Sequence, residues 1–194
     1  MFMKKLKKEI LTIPNLLSLF RLLLIPVYIV IYLNASEPSH YYLSAGILAV
    51  SCMTDLIDGK IARHFNMIST VGKVLDPLAD KATQFALIVC LAMRYQVLMH
   101  LMILFIIKES YQLLAGGFAL KHGKMLEGAL LPGKICTTVL FVSLIALVMM
   151  PQMPHALVSL IAAVDALFMI ISFISYILAY FGKNKKIHDI AKQE

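Results

Sequence analysis

Acidic residues are scarce in this chain: eleven aspartates and glutamates among 194 residues, against eighteen lysines and arginines. Cysteine is scarcer still. Three of them, Cys52, Cys90 and Cys136, lie in apolar stretches with neither the paired count of a secreted disulfide framework nor the spacing of a metal finger, and they read as small core residues. The net charge of +7 does not make a nucleic-acid binder, because the basic residues sit in separate loops and form no stripe interleaved with aromatics. There is no internal repeat and no low-complexity linker, so nothing marks a boundary between domains.

What the chain has in excess is oil. Its residues are 60% hydrophobic and its mean hydropathy is +0.84, where a soluble domain is roughly 45–50% apolar. A membrane-spanning helix needs about 20 predominantly apolar residues. The apolar runs predict six, at about 14–33, 41–64, 71–93, 97–120, 130–150 and 154–181, with Pro, Gly and polar clusters where each should stop. The expected fold is therefore an all-α integral membrane bundle of six helices, occupying residues 1–194 as one domain. A basic amphipathic segment containing Lys4, Lys5, Lys7 and Lys8 precedes it and is expected to lie on the membrane surface. The first apolar run is too long for a signal peptide, contains Arg21, and is followed by further spans.

Cytoplasmic loops collect Lys and Arg. One side of the predicted bundle carries the N-terminal lysines, Arg63 and Lys73, Lys121 and Lys124, and Lys183, Lys185 and Lys186, while the other carries only Arg94. Both termini are thus expected to face the cytoplasm, in the inner or plasma membrane of a cell.

Four of the few acidic residues fall between Asp55 and Asp80, in the order Asp55-x-x-Asp58-Gly59-x-x-Ala62-Arg63, eight residues, Gly72-x-x-x-Asp76-x-x-x-Asp80. Successive residues of an α-helix advance by about 100°, so Asp55, Asp58, Gly59 and Ala62 share one face of the second helix, with Arg63 at its edge. Gly72, Asp76 and Asp80 form an i, i+4, i+8 row on the third. A short turn makes these helices antiparallel neighbours whose carboxylate faces converge. Four carboxylates in a low-dielectric setting repel one another unless cations compensate. Two divalent ions balance four negative charges, and an all-oxygen donor set selects Mg²⁺, Mn²⁺ or Ca²⁺. Such a pair suits a diphosphate and an in-line displacement at phosphorus. Gly59, Gly72 and Ala62 leave room for a ligand at the backbone, or else serve as small-residue helix contacts, and Arg63 suits a phosphate. The isolated Asp165 in the last helix reads as a structural hydrogen-bonding group.

The spacing of these residues is identified with the signature of the CDP-alcohol phosphotransferase family. The opening Ile13-Pro14-Asn15-Leu16-Leu17-Ser18-Leu19-Phe20-Arg21, the run Asp76-Pro77-Leu78-Ala79-Asp80-Lys81 and the later Gly133-Lys134-x-x-Thr137 resemble one branch, the bacterial phosphatidylglycerophosphate synthases. The resemblance implies a six-helix, dimeric membrane enzyme with a cytoplasm-facing site that holds two divalent cations, Mg²⁺ or Mn²⁺. It implies transfer of a phosphatidyl group from CDP-diacylglycerol to an alcohol with release of CMP. Carried over by position, Asp55, Asp58, Asp76 and Asp80 are metal ligands, and Asp80 is also the general base. Gly59, Ala62, Arg63 and Gly72, with Asn15 and Arg21, shape the CDP pocket. Lys81, Lys108, Lys124, Lys134 and Thr137 are the candidates for the acceptor, with glycerol 3-phosphate expected first. Lys108-Glu109 replaces the branch's usual Arg-Glu, and Cys136 replaces a basic residue, so phosphatidylglycerol, inositol phosphate or serine stay open as acceptors. Two rivals use the same carboxylates. A prenyltransferase would place its aspartate motifs far apart in a longer chain, and a cation or proton carrier would need a second polar cluster toward the outer side.

Overall fold

The computed structural model describes residues 13–64, 72–121, 124–126, 130–181 and 187–189, excluding the side chains of residues 55–64. The N-terminal basic segment lies outside the described residues. Six helices are present among them: α1 (Ile13–Leu33), α2 (Pro38–His64), α3 (Gly72–Arg94), α4 (Val97–Lys121), α5 (Leu131–Met149) and α6 (His155–Phe181). They agree with the expected ranges to within a few residues. The largest difference is at α2, which starts at Pro38, whereas the sequence pattern put the break through Ser39. Proline is tolerated in the first helical turn, where its missing N–H would have no partner anyway.

Two short strands add to the helices. β1 (Lys124–Leu126) follows α4, and β2 (Ile187–Asp189) follows α6. They pair antiparallel, with Lys124 opposite Asp189 and Leu126 opposite Ile187. The expectation of helices alone missed this pair.

Four helices, α1, α4, α5 and α6, are long and apolar enough by length and composition to cross a membrane. The remaining two, α2 and α3, carry the aspartate motif, and its charges lower their hydropathy. The outer surfaces are apolar: Leu113 is 78% exposed, Leu114 73%, Leu131 71% and Met93 67%. Helices with so much apolar exterior need a lipid surround. The chain is an integral membrane protein.

By contact the chain divides into two compact units, residues 1–91 with 145–152, and residues 92–144 with 153–194. In the first, α1 packs along α2, and the core includes Tyr28, Leu48, Ala79, Leu87, Ile88 and Cys90, all buried. An aromatic cluster joins the end of α1 to the start of α2, with Tyr32 edge-on to Tyr41 at 5.4 Å and beside Tyr28 at 5.7 Å. Asn34 stops α1 by donating its side-chain amide to the Val30 carbonyl at 2.7 Å, which satisfies one of the orphan acceptors at a helix end. In the second unit α4 packs along α6, over a core of Leu98, Leu101, Phe105, Leu140, Val158 and Met169. Tyr111 meets Phe173 edge-on at 5.1 Å.

Candidate active site

The first unit carries the described half of the aspartate motif. Asp76 and Asp80 stand one turn apart on α3, as their spacing predicts, and Gly72 is buried one turn before them. Pro77 falls between the two carboxylates inside the helix. Lacking an N–H, it deprives the carbonyl four residues earlier of its helical donor, which loosens the backbone where the carboxylates must be presented.

Both carboxylates are held from α1. Ser18 Oγ donates a hydrogen bond to Asp76 Oδ1, and Arg21 Nη1 donates to Asp80 Oδ1 at 2.6 Å. Ser18 and Arg21 are three residues apart and therefore on one face of α1, so an i, i+3 pair grips an i, i+4 pair. The burial is lopsided: the Arg21 side chain is 2% exposed and that of Asp80 50%. The cation is fixed in the interior, while the carboxylate it orients still reaches the surface. Asn15, on the same helix, is buried at 2%. Ser18 carried no assigned role in the sequence reading. A lone hydroxyl in an apolar helix usually bonds its own backbone, but its place three residues before Arg21 was the available signal.

Asp55, Asp58, Gly59, Ala62 and Arg63 belong to α2, and their side chains lie outside the described residues. Among the described residues no three His, Cys, Asp or Glu side chains group as metal ligands. Asp76 and Asp80 fit such a group in kind. Both are oxygen donors on one face, and Asp76 Oδ2 takes no hydrogen bond among the described residues, which leaves it open to a hard cation.

The candidates for the acceptor are spread along the chain. Lys81 follows Asp80 on α3 and is half-buried. In the second unit Lys108 is buried, 2% exposed, and its ammonium meets Glu109 Oε1 at 2.7 Å. Burying a lysine without such a partner would be costly. Lys134 is exposed in the first turn of α5, and Thr137 turns its hydroxyl back to the carbonyls of Lys134 at 2.9 Å and Gly133 at 3.1 Å. Lys124 lies in β1, with its side chain outside the described residues. Asp165 of α6 is 1% exposed and accepts a hydrogen bond from Ser143 Oγ of α5 at 2.9 Å, an inter-helix link that agrees with the structural role expected of it.

Fold and site define a polytopic helical membrane protein whose acidic side chains lie on α2 and α3. The family model for CDP-alcohol phosphatidyltransferase matches residues 11–180. The chain belongs to that family. It is 36% identical over 134 residues to the CDP-diacylglycerol–glycerol-3-phosphate 3-phosphatidyltransferase of Aquifex aeolicus, covering 68% of this chain and 71% of that one. It is 33% identical over 117 residues to the cardiolipin synthase (CMP-forming) of Streptomyces coelicolor, 59% of this chain and 54% of the relative. It is also 44% identical over 93 residues to a cardiolipin synthase (CMP-forming)/mitochondrial hydrolase fusion protein of Schizosaccharomyces pombe, 47% of this chain and 15% of the fusion. The chain thus spans about half of one of these relatives and a small part of another.

Proposed function

We propose that this protein transfers a phosphatidyl group from CDP-diacylglycerol to glycerol 3-phosphate and releases CMP. The observation that carries the reading is the pairing of Asp76 and Asp80 with Ser18 and Arg21, which presents two carboxylates from one face of a helix in a family of phosphatidyltransferases. Asp55, Asp58, Asp76 and Asp80 would hold two divalent cations, Mg²⁺ or Mn²⁺, whose charge neutralises a diphosphate and makes CMP a better leaving group.

The chain's own residues do the rest. Asp80 accepts the proton of the acceptor hydroxyl as that oxygen attacks the phosphorus of the phosphatidyl group. The new P–O bond forms as the bond to CMP breaks, and the proton stays on the Asp80 carboxylate until solvent removes it. Arg21 keeps that carboxylate in one orientation, and its own burial prevents it from following the proton. Gly59, Ala62, Arg63 and Gly72, with Asn15, shape the space for the nucleotide. Lys81, Lys108, Lys124, Lys134 and Thr137 act on the acceptor. In this reading the site opens to the cytoplasm, the acyl tails of the donor remain in lipid, and the working unit is a homodimer.

A second acceptor is favoured by a specific finding, since relatives named cardiolipin synthase stand beside those named for glycerol 3-phosphate. That acceptor is phosphatidylglycerol, and the buried Lys108–Glu109 pair and buried Cys136 leave fewer free cations for a phosphate monoester.

Purified protein in liposomes containing CDP-diacylglycerol separates the readings. CMP should appear on addition of glycerol 3-phosphate with Mg²⁺ or Mn²⁺ and stop with a chelator. CMP release with phosphatidylglycerol alone moves the assignment to the second acceptor. Ion flux without any CMP supports a carrier and ends both.

A further inference from the structure

Two tyrosines of α6 are seated over glycines of neighbouring helices in the second unit. A Cβ placed on Gly133 would lie 2.7 Å from Tyr176 Oη, 2.9 Å from its Cε2 and 3.2 Å from its Cζ. No side chain fits there, so the phenol end of Tyr176 rests on the backbone of the first turn of α5. Tyr180 stacks on Tyr176 with ring centroids 6.4 Å apart, and its Oη lies 3.3 Å from the Cβ position of Gly116 on α4. The two rings are thereby fixed from both sides. Rings held this way spend little entropy in presenting a hydroxyl.

The Tyr176 hydroxyl is nevertheless unused. Tyr176 is 6% exposed, and its Oη makes no hydrogen bond among the described residues. Buried phenols normally find a partner. This one is aimed at the start of a helix of 19 residues, where unpaired backbone N–H groups and the helix dipole favour an anion. The residue after Gly133 is Lys134, exposed and positively charged. A dipole, an ammonium and an unspent hydroxyl donor at one turn describe a receptor for phosphate.

We propose that Tyr176 binds the phosphate of the acceptor, its hydroxyl donating to a phosphate oxygen held over the first turn of α5 beside Lys134. Gly133 is glycine because any side chain would lift the phenol away from that oxygen. The proposal rests on the phosphatidyltransferase reading above and assigns a residue of α6 to it. Glycerol 3-phosphate and phosphatidylglycerol share the chemistry required, a phosphate ester of glycerol.

The test compares wild type, Tyr176→Phe and Gly133→Ala by CMP release in CDP-diacylglycerol liposomes, with each acceptor varied in turn, and by thermal midpoint with and without inorganic phosphate. Loss of one hydrogen bond to a charged group should raise KM for the acceptor about tenfold or more. The value of kcat, the KM for CDP-diacylglycerol and the midpoint without phosphate should stay at wild-type values in Tyr176→Phe. Gly133→Ala keeps the hydroxyl but displaces it and should reproduce the KM increase, which decides the matter if Tyr176→Phe does not fold. Whichever acceptor supports wild-type turnover and shows the increase identifies the source of the phosphate. An unchanged acceptor KM, a fall in kcat alone, or a change confined to the KM for CDP-diacylglycerol overturns the proposal. If wild type releases no CMP with any acceptor, the functional reading fails separately. The phosphate arm then judges Tyr176: stabilisation of wild type and not of Tyr176→Phe supports it, and equal or absent stabilisation of both overturns it.

Discussion

Arg21 and Asp80 form a pair in which only one member reaches the surface, and substitutions on its two sides should differ accordingly. Asp80→Asn keeps shape and hydrogen-bonding capacity but cannot take a proton, so turnover should fall by about 10²–10⁴ while the melting temperature in detergent stays near wild type. Arg21→Ala removes the buried partner and should cost about 1.5–3 kcal/mol of stability as well as activity, read by thermal unfolding and CMP release together. Arg21→Lys should restore part of the stability and less of the activity, because an ammonium holds a carboxylate without the planar geometry of a guanidinium. The aspartate motif was legible in the sequence because charge at membrane depth is rare and its spacing is helical. The partners on α1 were only partly so. Arg21 stood out by charge and was expected at the nucleotide, whereas its observed partner is Asp80; Ser18 and Tyr176 have no charge or period to mark them, and packing alone gives them their places.

The helices were legible because long apolar runs interrupted by polar and Pro-containing breaks leave little choice of element, and α1, α4 and α6 each lie within two residues of their expected limits. Strands of three residues fall below any pattern length, so β1 and β2 could not be read from periodicity. Contacts between helices are equally silent in sequence, and the link between α5 and α6 is one of them. Ser143 bonds Asp165 at 2.9 Å and its own Val139 carbonyl at the same distance. Hydrogen bonds between membrane helices are modest, about 0.6 kcal/mol on average and up to about 1.7. A double-mutant cycle of Ser143→Ala and Asp165→Asn should therefore give a coupling energy inside that range, with CMP release little affected. A coupling near zero would remove the inter-helix role of Asp165.

The molecule as a whole presents apolar side chains outward and charge in selected loops, which decides both how it is handled and which way it faces. Extraction should require detergent and resist carbonate or high salt. With the native cysteines replaced, Ser36→Cys and Gln152→Cys, both exposed, should react with an impermeant maleimide on intact cells, and Lys121→Cys only after permeabilisation; the reverse pattern would invert the proposed orientation. Net orientation was legible because lysine placement follows a rule of insertion, while the division into two compact units has no counterpart in composition. One small feature reaches further than its size. Because β2 pairs with β1, the stretch beyond the last helix clasps the link between α4 and α5, so trimming the far end of the chain should loosen a segment encoded long before it, and lesions there should mimic lesions beside Lys124.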